Sequence, residues 1–373
     1  MRTRTKLAIL FAVLFIALGV LLGGVVMLSI GFDLEALNTT PVYTTESKEL
    51  LEPFESIEIE QGEADIKILA SDAKFPVIQY MECEGIEYEV TNENGVLIVR
   101  EIDTRPWYKK ISFSFSSKKE EVATILHLPQ KDYQRLHIDS ASGDVTVSDS
   151  RAPFGEEINE TLIYGGLIRF SVVDVKTASG EISYLAELSQ NAAMTLQSAS
   201  GDITLKYPST GVVTITTASG DVSVAQAEMQ ALVVKTASGD VEIKGAQATQ
   251  GTVETASGEI LTQQFYCDTL TLQTASGDVE MEGTHAPVIA RISTASGDVE
   301  AVSCYAHEFY VETTSGDVEL RFNDGIDVDA KSTSGEIVLV PEKENNPGTG
   351  RCYVETVSGD IYISRPPLPL WFN

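Results

Sequence analysis

The chain has 373 residues, with 26 Lys and Arg against 55 Asp and Glu, which gives a formal net charge of −29 at pH 7. This acidity argues against nucleic-acid binding, because a basic surface supplies much of that affinity. Hydrophobic residues make up 43% of the chain, so it is not a disordered acidic tract.

The first element is an apolar segment without charges, residues 7–32. It exceeds the roughly 20 residues that a helix needs to cross a hydrocarbon core, so the sequence predicts a transmembrane helix. Arg2, Arg4 and Lys6 precede it, which predicts a cytoplasmic tail at 1–6 and an extracytoplasmic location for the rest. The alternative is a cleaved secretory signal, but its apolar region would span about 7–15 residues and end in a small-x-small site. A single-pass anchor in the cell membrane is therefore favoured.

Two segments separate the anchor from the rest of the chain. Residues 33–53 contain Thr and Pro without apolar periodicity, which predicts an extracytoplasmic spacer. Residues 54–135 alternate apolar and polar positions and contain turn signals at Gln61-Gly62 and Asn94-Gly95. We interpret them as an N-terminal β region that begins a larger stack and covers its first edge.

A basic segment, Arg105–Lys119, interrupts this acidic region with five basic residues and no acid. One interpretation is contact with lipid headgroups or anionic wall polymer. The residues that would make it are Trp107, Tyr108, Lys109, Lys110, Lys118 and Lys119. The alternative, which we favour, is a β-hairpin with Ile111, Phe113 and Phe115 pointing inward.

A hexapeptide of the form T-A-S-G-D-V recurs eleven times within residues 136–365. Its glycines are spaced by 37, 21, 19, 19, 19, 19, 20, 19, 19 and 24 residues. The spacing of 37 predicts a hidden degenerate unit near Leu162–Phe170, and the spacing of 24 accommodates a polar insertion at 341–350. We expect the glycine to accept a corner angle that other residues resist, with Thr and Ser hydroxyls bonding one another there.

Apolar residues alternate with polar ones on both sides of each Ser-Gly pair, which indicates strands. A 19-residue unit cannot bury its apolar face alone, whereas stacked copies can. The predicted fold is therefore all-β, a single-stranded β-solenoid of about 19-residue coils. The tail at 366–373 is rich in proline, which cannot donate to a ladder, so we expect it to end or cap the far edge.

The acids of the hexapeptide would form a ladder at one corner, where stacked like charges are destabilising. One interpretation is a row of weak Ca²⁺ or Mg²⁺ sites, since hard cations take carboxylate oxygens. The acids in question are Asp202, Asp221, Asp240, Glu259, Asp278, Asp298 and Asp317. The favoured alternative is that each carboxylate accepts backbone N–H groups in its own turn and faces water.

The remaining chemistry-bearing residues form no recognisable site. Cys83, Cys267, Cys304 and Cys352 lack C-x-x-C spacing, and the four histidines lack metal-ligand spacing. The thiols are expected to be small buried groups, and no cofactor is expected. An enzyme acting on envelope carbohydrate would need one carboxylate pair in a groove, and these acids are too regular to single one out.

The anchor, the strand-rich opening and the repeated T-A-S-G-D-V/I units resemble the bacterial "putative adhesin" family, whose β-strand-repeat domain is also called toast-rack. The resemblance covers about residues 54–365. It implies an extracytoplasmic, non-enzymatic domain, often linked to envelope stress systems.

Two functions follow as hypotheses. The first is a membrane-anchored interaction or adhesion module that contacts an unknown envelope protein or polymer. The second is a regulatory or sensing component of a cell-envelope stress response.

Overall fold

The computed structural model describes residues 41–106, 122–149, 167–209, 211–322, 326–340 and 350–364, with scattered residues between 15 and 29. The scattered residues are helical. Within the described residues, no helix is both long and apolar enough to cross a membrane. Most of the predicted span at 7–32 lies outside the described residues, so the anchor stays a prediction.

The protein is all-β. The strands before the first hexapeptide are β1 (Thr44–Glu49), β2 (Ser56–Gln61), β3 (Asp65–Ser71), β4 (Val77–Glu82), β5 (Ile86–Glu93), β6 (Val96–Asp103), β7 (Ala123–Pro129) and β8 (Lys131–Ser140). The next are β9 (Val145–Ser148), β10 (Ile168–Thr177), β11 (Ile182–Leu185), β12 (Leu188–Ser198), β13 (Ile203–Lys206), β14 (Gly211–Thr216), β15 (Val222–Ala225), β16 (Glu228–Lys235), β17 (Val241–Lys244) and β18 (Gln247–Glu254). The last are β19 (Ile260–Gln263), β20 (Tyr266–Gln273), β21 (Val279–Glu282), β22 (His285–Ser293), β23 (Val299–Val302), β24 (Tyr305–Glu312), β25 (Val318–Arg321), β26 (Ile326–Ser332), β27 (Ile337–Leu339), β28 (Gly350–Thr356) and β29 (Ile361–Ser364).

These strands form two sheets, and each coil of the repeat contributes one strand to each. Sheet A has the order β1-β4-β7-β3-β9-β11-β13-β15-β17-β19-β21-β23-β25-β29-β27. Sheet B has the order β26-β28-β24-β22-β20-β18-β16-β14-β12-β10-β8-β2-β6-β5. Neighbouring repeat strands are parallel, and where the motif spacing is 19 they register residue i with i+19, as Val222 with Val241 and Val241 with Ile260. The repeat is therefore β-solenoid-like, as predicted.

The core consists of the residues that the alternating pattern places inward. Val234, two residues before a motif Thr, and Val241, directly after a motif acid, are both buried. The equivalent residues of the other coils are buried as well, apart from those of the coil formed by β26 and β27. Because identical positions stack on one another, a single cluster of buried side chains continues from coil to coil.

In six consecutive coils the second corner contains a residue with positive φ. Gly245 and Gly283 occupy it with φ of 57°. Tyr207, Gln226, Gln264 and Ser303 occupy the same position in other coils. The left-handed conformation thus recurs with the repeat although glycine does not, which is why the sequence shows this corner only weakly.

The predicted hidden unit between Gly143 and Gly180 is wrong. Strand β8 pairs directly with β10, and β9 pairs directly with β11, so the two coils are immediate neighbours. The long spacing therefore contains one coil and an inserted segment, whose residues 150–166 lie outside the described residues.

A hidden unit exists elsewhere, at residues 61–66. Gln61 registers with Ser140, and Ile66 registers with Val145, so Gln-Gly-Glu-Ala-Asp-Ile occupies the motif position of its coil. The predicted turn at Gln61-Gly62 is therefore a motif corner. The other predicted turn is confirmed, since Asn94 and Gly95 have φ of 55° and 82° between β5 and β6.

Chain order and stacking order differ at both ends of the solenoid. Strands β2 and β3 are covered by β6 and β7, which come later in the chain. Likewise β28 and β29 insert between the coil of β24 and β25 and the coil of β26 and β27. The coil of β26 and β27 is consequently outermost, although it is not the last in sequence.

A second, smaller compact unit comprises Met1–Thr45, Met81–Glu87 and Ile102–Glu121. In its described part, Cys83 and Ile86 form an antiparallel bridge, and the Thr104 N–H donates to the Gly85 carbonyl at 2.8 Å. Arg105 pairs with Asp103 at 2.9 Å, and this hydrogen bond raises the pKa of Arg105.

Candidate functional site

The motif corner is fixed first by its threonine. The Thr255 hydroxyl accepts the N–H of Gly258 at 3.0 Å, and it donates to the carbonyl of Gly239 in the preceding coil at 3.4 Å. The same pair of bonds recurs at Thr274, Thr294, Thr313 and Thr356. The expectation that these hydroxyls bond one another is wrong, because each is occupied by the glycine backbone.

The motif glycine is required by close packing and not by its backbone angle. Among the described glycines, positive φ is confined to positions outside the motif. A Cβ on Gly258 would lie 1.9 Å from the carbonyl oxygen of Gly239, and a Cβ on Gly277 would lie 1.8 Å from that of Gly258. The expected corner angle is therefore not the reason for the glycine; the neighbouring coil leaves no room for a side chain.

The motif aspartate bonds the next coil. The Asp240 N–H donates to Asp221 Oδ1 at 2.9 Å, and the Asp317 N–H donates to Asp298 Oδ1 at 2.7 Å. The hidden unit joins this ladder, since the Asp144 N–H donates to Asp65 Oδ1 at 3.0 Å. The favoured interpretation is correct that these aspartates accept backbone N–H groups, but each N–H belongs to the neighbouring coil and not to the acid's own turn.

Two glutamates interrupt the ladder. Within the described corners, no such bond joins the Asp278 N–H to Glu259 or the Asp202 N–H to Glu181. The Glu181 carboxylate instead accepts the Ser183 hydroxyl at 3.2 Å. Burial raises the pKa of Glu259, and the nearby carboxylates of Glu280, Asp240 and Asp278 raise it further. Ionised Glu259 therefore works against folding, since the folded chain binds its proton more tightly than the unfolded chain does.

The carboxylate ladder accordingly has a structural role in each coil that carries Asp. Across the residues that the structure describes, no three His, Cys, Asp or Glu side chains converge as metal ligands would. The row of weak cation sites at Asp202, Asp221, Asp240, Glu259, Asp278, Asp298 and Asp317 stays a prediction.

The other predicted contact residues, Trp107, Tyr108, Lys109, Lys110, Lys118 and Lys119, lie outside the described residues, as does the alternative hairpin. Cys267, Cys304 and Cys352 are buried, as expected, whereas Cys83 is only partly buried. Burial raises the pKa of Cys267 to about 12 and that of Cys304 to about 11, so both stay protonated and unreactive at neutral pH.

Sequence reasoning missed an aromatic surface on the outer side of sheet B. Tyr266, His285 and Tyr305 register across three coils. Their ring centroids are 5.7 Å apart for Tyr266 and His285, and 4.6 Å apart for His285 and Tyr305. Tyr266 remains 52% exposed.

A second aromatic row lies five residues further along β24. The Tyr310 ring stacks on Tyr353 of β28 at 4.9 Å, and the Arg291 guanidinium lies 5.3 Å from the Tyr310 centroid. We call the six residues of these two rows the aromatic face: Tyr266, His285, Arg291, Tyr305, Tyr310 and Tyr353. The two rows are about 16 Å apart along the strand.

This region carries charges of both signs. Besides Arg291 and His285, it contains Arg351, which registers with Glu308, and the exposed His307. The Glu308 carboxylate accepts the Tyr310 hydroxyl at 3.4 Å, so an acid lies among these groups. The signal in the sequence was a set of aromatic residues at equivalent repeat positions, which becomes visible only once the register is known.

The protein-family model described as Toastrack DUF4097 matches residues 54–299 and 261–368. The chain is similar to the crystal structure of a putative adhesin from Parabacteroides merdae, with 11% identity over 87% of this chain and 96% of that chain, at a TM-score of 0.33. It is similar to a putative lipid binding protein from Parabacteroides distasonis, with 14% identity over 85% of this chain and 96% of that chain, at a TM-score of 0.34. No curated protein matches the chain.

Proposed function

The chain belongs to the Toastrack DUF4097 family, and we propose that it is a non-enzymatic interaction module that binds an envelope protein or polymer through its aromatic face. The segment at 7–32 would anchor it in the cell membrane and place the solenoid outside the cytoplasm. The apolar sequence of that segment and the basic residues before it support this orientation.

The aromatic face is the observation that carries the proposal. Tyr and Arg are enriched among residues that dominate binding energy at interfaces, because they combine a large apolar surface with a polar group. Elsewhere the outer side of sheet B presents smaller side chains in the same row, such as Thr214, Val233 and Thr252. The concentration of aromatic groups in a few adjacent coils thus distinguishes this stretch from the rest of the repeat.

The charge around the face favours it as a contact surface. A polyanionic partner would be repelled by most of a chain with net charge −29, whereas the region of the aromatic face carries the cations Arg291 and Arg351 beside acids such as Glu308 and Glu312. A partner that presents charges of both signs therefore suits this surface.

Substitution of Tyr266, Tyr305 and Tyr310 by Ser tests the proposal in binding of the full chain to envelopes isolated from the producing cells. We expect the affinity to fall at least about tenfold, because truncation of contact residues at an interface typically costs this much in binding free energy. The matched control replaces Val212, Val233 and Thr252 by Ser in other coils of the same sheet, and it should bind as the unaltered chain does.

Thermal unfolding of both triple variants shows whether each remains folded. If the folded tyrosine variant binds envelopes as well as the control does, the aromatic face is not the contact surface. Substitution of Arg291 by Gln gives an independent test that leaves the stacked rings in place, and it should weaken binding in the same direction.

A further inference from the structure

The outermost coil at the C-terminal end of the solenoid exposes apolar side chains. Ile337 is 38% exposed and Leu339 is 49% exposed, although both register with buried isoleucines of β29. On the outer side of the same sheet, Val338 is 37% exposed and Val340 is 40% exposed. The side chains of β27 thus occupy core positions with no described coil beyond them. The tail at 366–373, which the sequence predicts as a cap, lies outside the described residues.

The edge at β27 differs from the other edges of the two sheets. Among the described strands, sheet A ends at β1 and β27, and sheet B ends at β26 and β5. Strands β1, β5 and β26 carry charged side chains, which discourage another strand from pairing with an edge. Strand β27 reads Ile-Val-Leu and carries none. Of these four edges, the one at β27 therefore suits the addition of a further strand.

A second copy of the chain supplies a strand to both edges of this coil at once. A two-fold axis that crosses both sheets at right angles to the solenoid places β27 against β27 of the second copy. The same axis places β26 against β26, and both pairs are antiparallel. The exposed core side chains of the two copies then cover one another. Because each C-terminal end is used once, the assembly closes as a dimer.

The charges of β26 favour this partner over others. Asp327, Asp329 and Lys331 alternate along the exposed side of the strand. In antiparallel self-pairing centred on Ala330, Lys331 lies opposite Asp329 of the second copy, and in self-pairing centred on Asp329 it lies opposite Asp327. Either register sets each lysine against an acid, which stabilises a cross-strand pair. The N-terminal edge of sheet B is a poor alternative, because β5 carries three glutamates within Ile86–Glu93 that would repel these aspartates.

We propose that two copies of the chain associate through their C-terminal ends, with β27 paired to β27 and β26 paired to β26. The contact is the end of a single coil, so it belongs with the small, transient interfaces. Each copy also carries a net charge of −29, and the resulting repulsion weakens the association. We therefore expect a dissociation constant in the micromolar range.

Sedimentation equilibrium of the full chain in density-matched detergent measures this association. We expect a monomer–dimer equilibrium that Val338→Asp weakens at least about tenfold, because a carboxylate on each β27 would approach its equivalent near the two-fold axis. The matched control is Val302→Asp on β23, which alters the outer side of the same sheet inside the stack. It should leave the dissociation constant unchanged.

A charge substitution on β26 tests the choice of partner independently. Lys331→Glu sets acid against acid across the junction in either register, so it should weaken the dimer about threefold or more. Lys235 on β16 is the matched control, because it occupies the equivalent repeat position and pairs with Glu254 as Lys331 pairs with Glu355. Lys235→Glu should leave the dimer unchanged, since β16 lies far from either end of sheet B.

Three results would overturn the proposal. A chain that stays monomeric at millimolar concentration does not pair through this end. A dimer that both Val338→Asp and Lys331→Glu leave intact forms through another surface. Dimerisation that appears only when the chain is shortened to end at Ser364 would show that the C-terminal tail covers β27 in the full chain. Thermal unfolding of each variant establishes that it is folded when its mass is measured.

Discussion

Substitution of Gly258 by Ala should destabilise the protein by about 3 kcal/mol or more, because overpacking next to rigid backbone cannot be relieved by a side-chain movement. The added Cβ would lie 1.9 Å from the Gly239 carbonyl oxygen, which belongs to the stacked corner of the preceding coil. Chemical denaturation gives the change in free energy of unfolding, and hydrogen exchange shows whether protection is lost in the coils on either side.

The control is Gly245→Ala at the other corner of the same coil. Gly245 has φ of +57°, and a Cβ there would meet no atom within 4 Å. Its cost should be only about 1 kcal/mol, the ordinary cost of a non-glycine residue in the left-handed region. Equal costs at the two positions would mean that Gly258 is not held by close packing.

Substitution of Phe265 by Ala should lower the free energy of unfolding by about 3–5 kcal/mol. It leaves a large cavity in the core, and the stacked coils cannot move together to fill that cavity. Phe265 is fully buried and lies against Gly251, where a Cβ would meet Phe265 Cζ at 3.2 Å and Cys267 Sγ at 3.0 Å. The small residue in one coil thus makes room for the ring of the next.

This packing predicts that Gly251→Ala costs less once the Phe265 ring is removed. In the unaltered chain it should destabilise by about 1–3 kcal/mol through overpacking against Phe265, Cys267 and Leu270. In the Phe265→Ala background the cost should fall to less than half, because one contact is gone and the Cys267 and Leu270 side chains can move into the vacated space. Denaturant midpoints of the two single variants and the double variant form the cycle; additive effects would contradict the contact.

The repeat could be predicted from the sequence because its pattern lies within short stretches of the chain. Period-2 alternation placed residues such as Val234 and Val241 in the core, and both are buried. The recurring interval of 19 residues predicts the register of one coil on the next, as Val222 on Val241. Neither conclusion depends on which coils are neighbours at the ends.

What could not be predicted depends on contacts between coils. The interval of 19 between Gly316 and Gly335 suggests that these corners stack, yet Gly335 lies on Gly359, which itself lies on Gly316. The last coil contains Cys352, Val354, Ile361 and Ile363, all buried, whereas the coil of β26 carries charges at alternate positions that suit an edge. The spacing of the motif glycines does not show which of these two coils is outermost.

The position of the corner acid was predicted correctly from the sequence, but the backbone N–H that it accepts was not. A corner whose carboxylate accepts an N–H of its own turn and a corner whose carboxylate accepts an N–H of the next coil can have the same hexapeptide sequence. The structure separates them because the donor, such as the Asp240 N–H, comes from the following unit. The aromatic face was missed for a related reason: Tyr266, His285 and Tyr305 are far apart in sequence and meet only through the register.

The central claim is that the corner acid is a hydrogen-bond acceptor of defined length that joins neighbouring coils. Two substitutions that conserve charge test it by measuring the free energy of unfolding. Glu259→Asp should stabilise by about 1 kcal/mol by supplying the missing acceptor for the Asp278 N–H, and Asp221→Glu should destabilise by about as much by losing the bond from the Asp240 N–H. Effects of opposite sign are the predicted result. Two effects near zero, or a dependence of either on added Ca²⁺, would contradict the account.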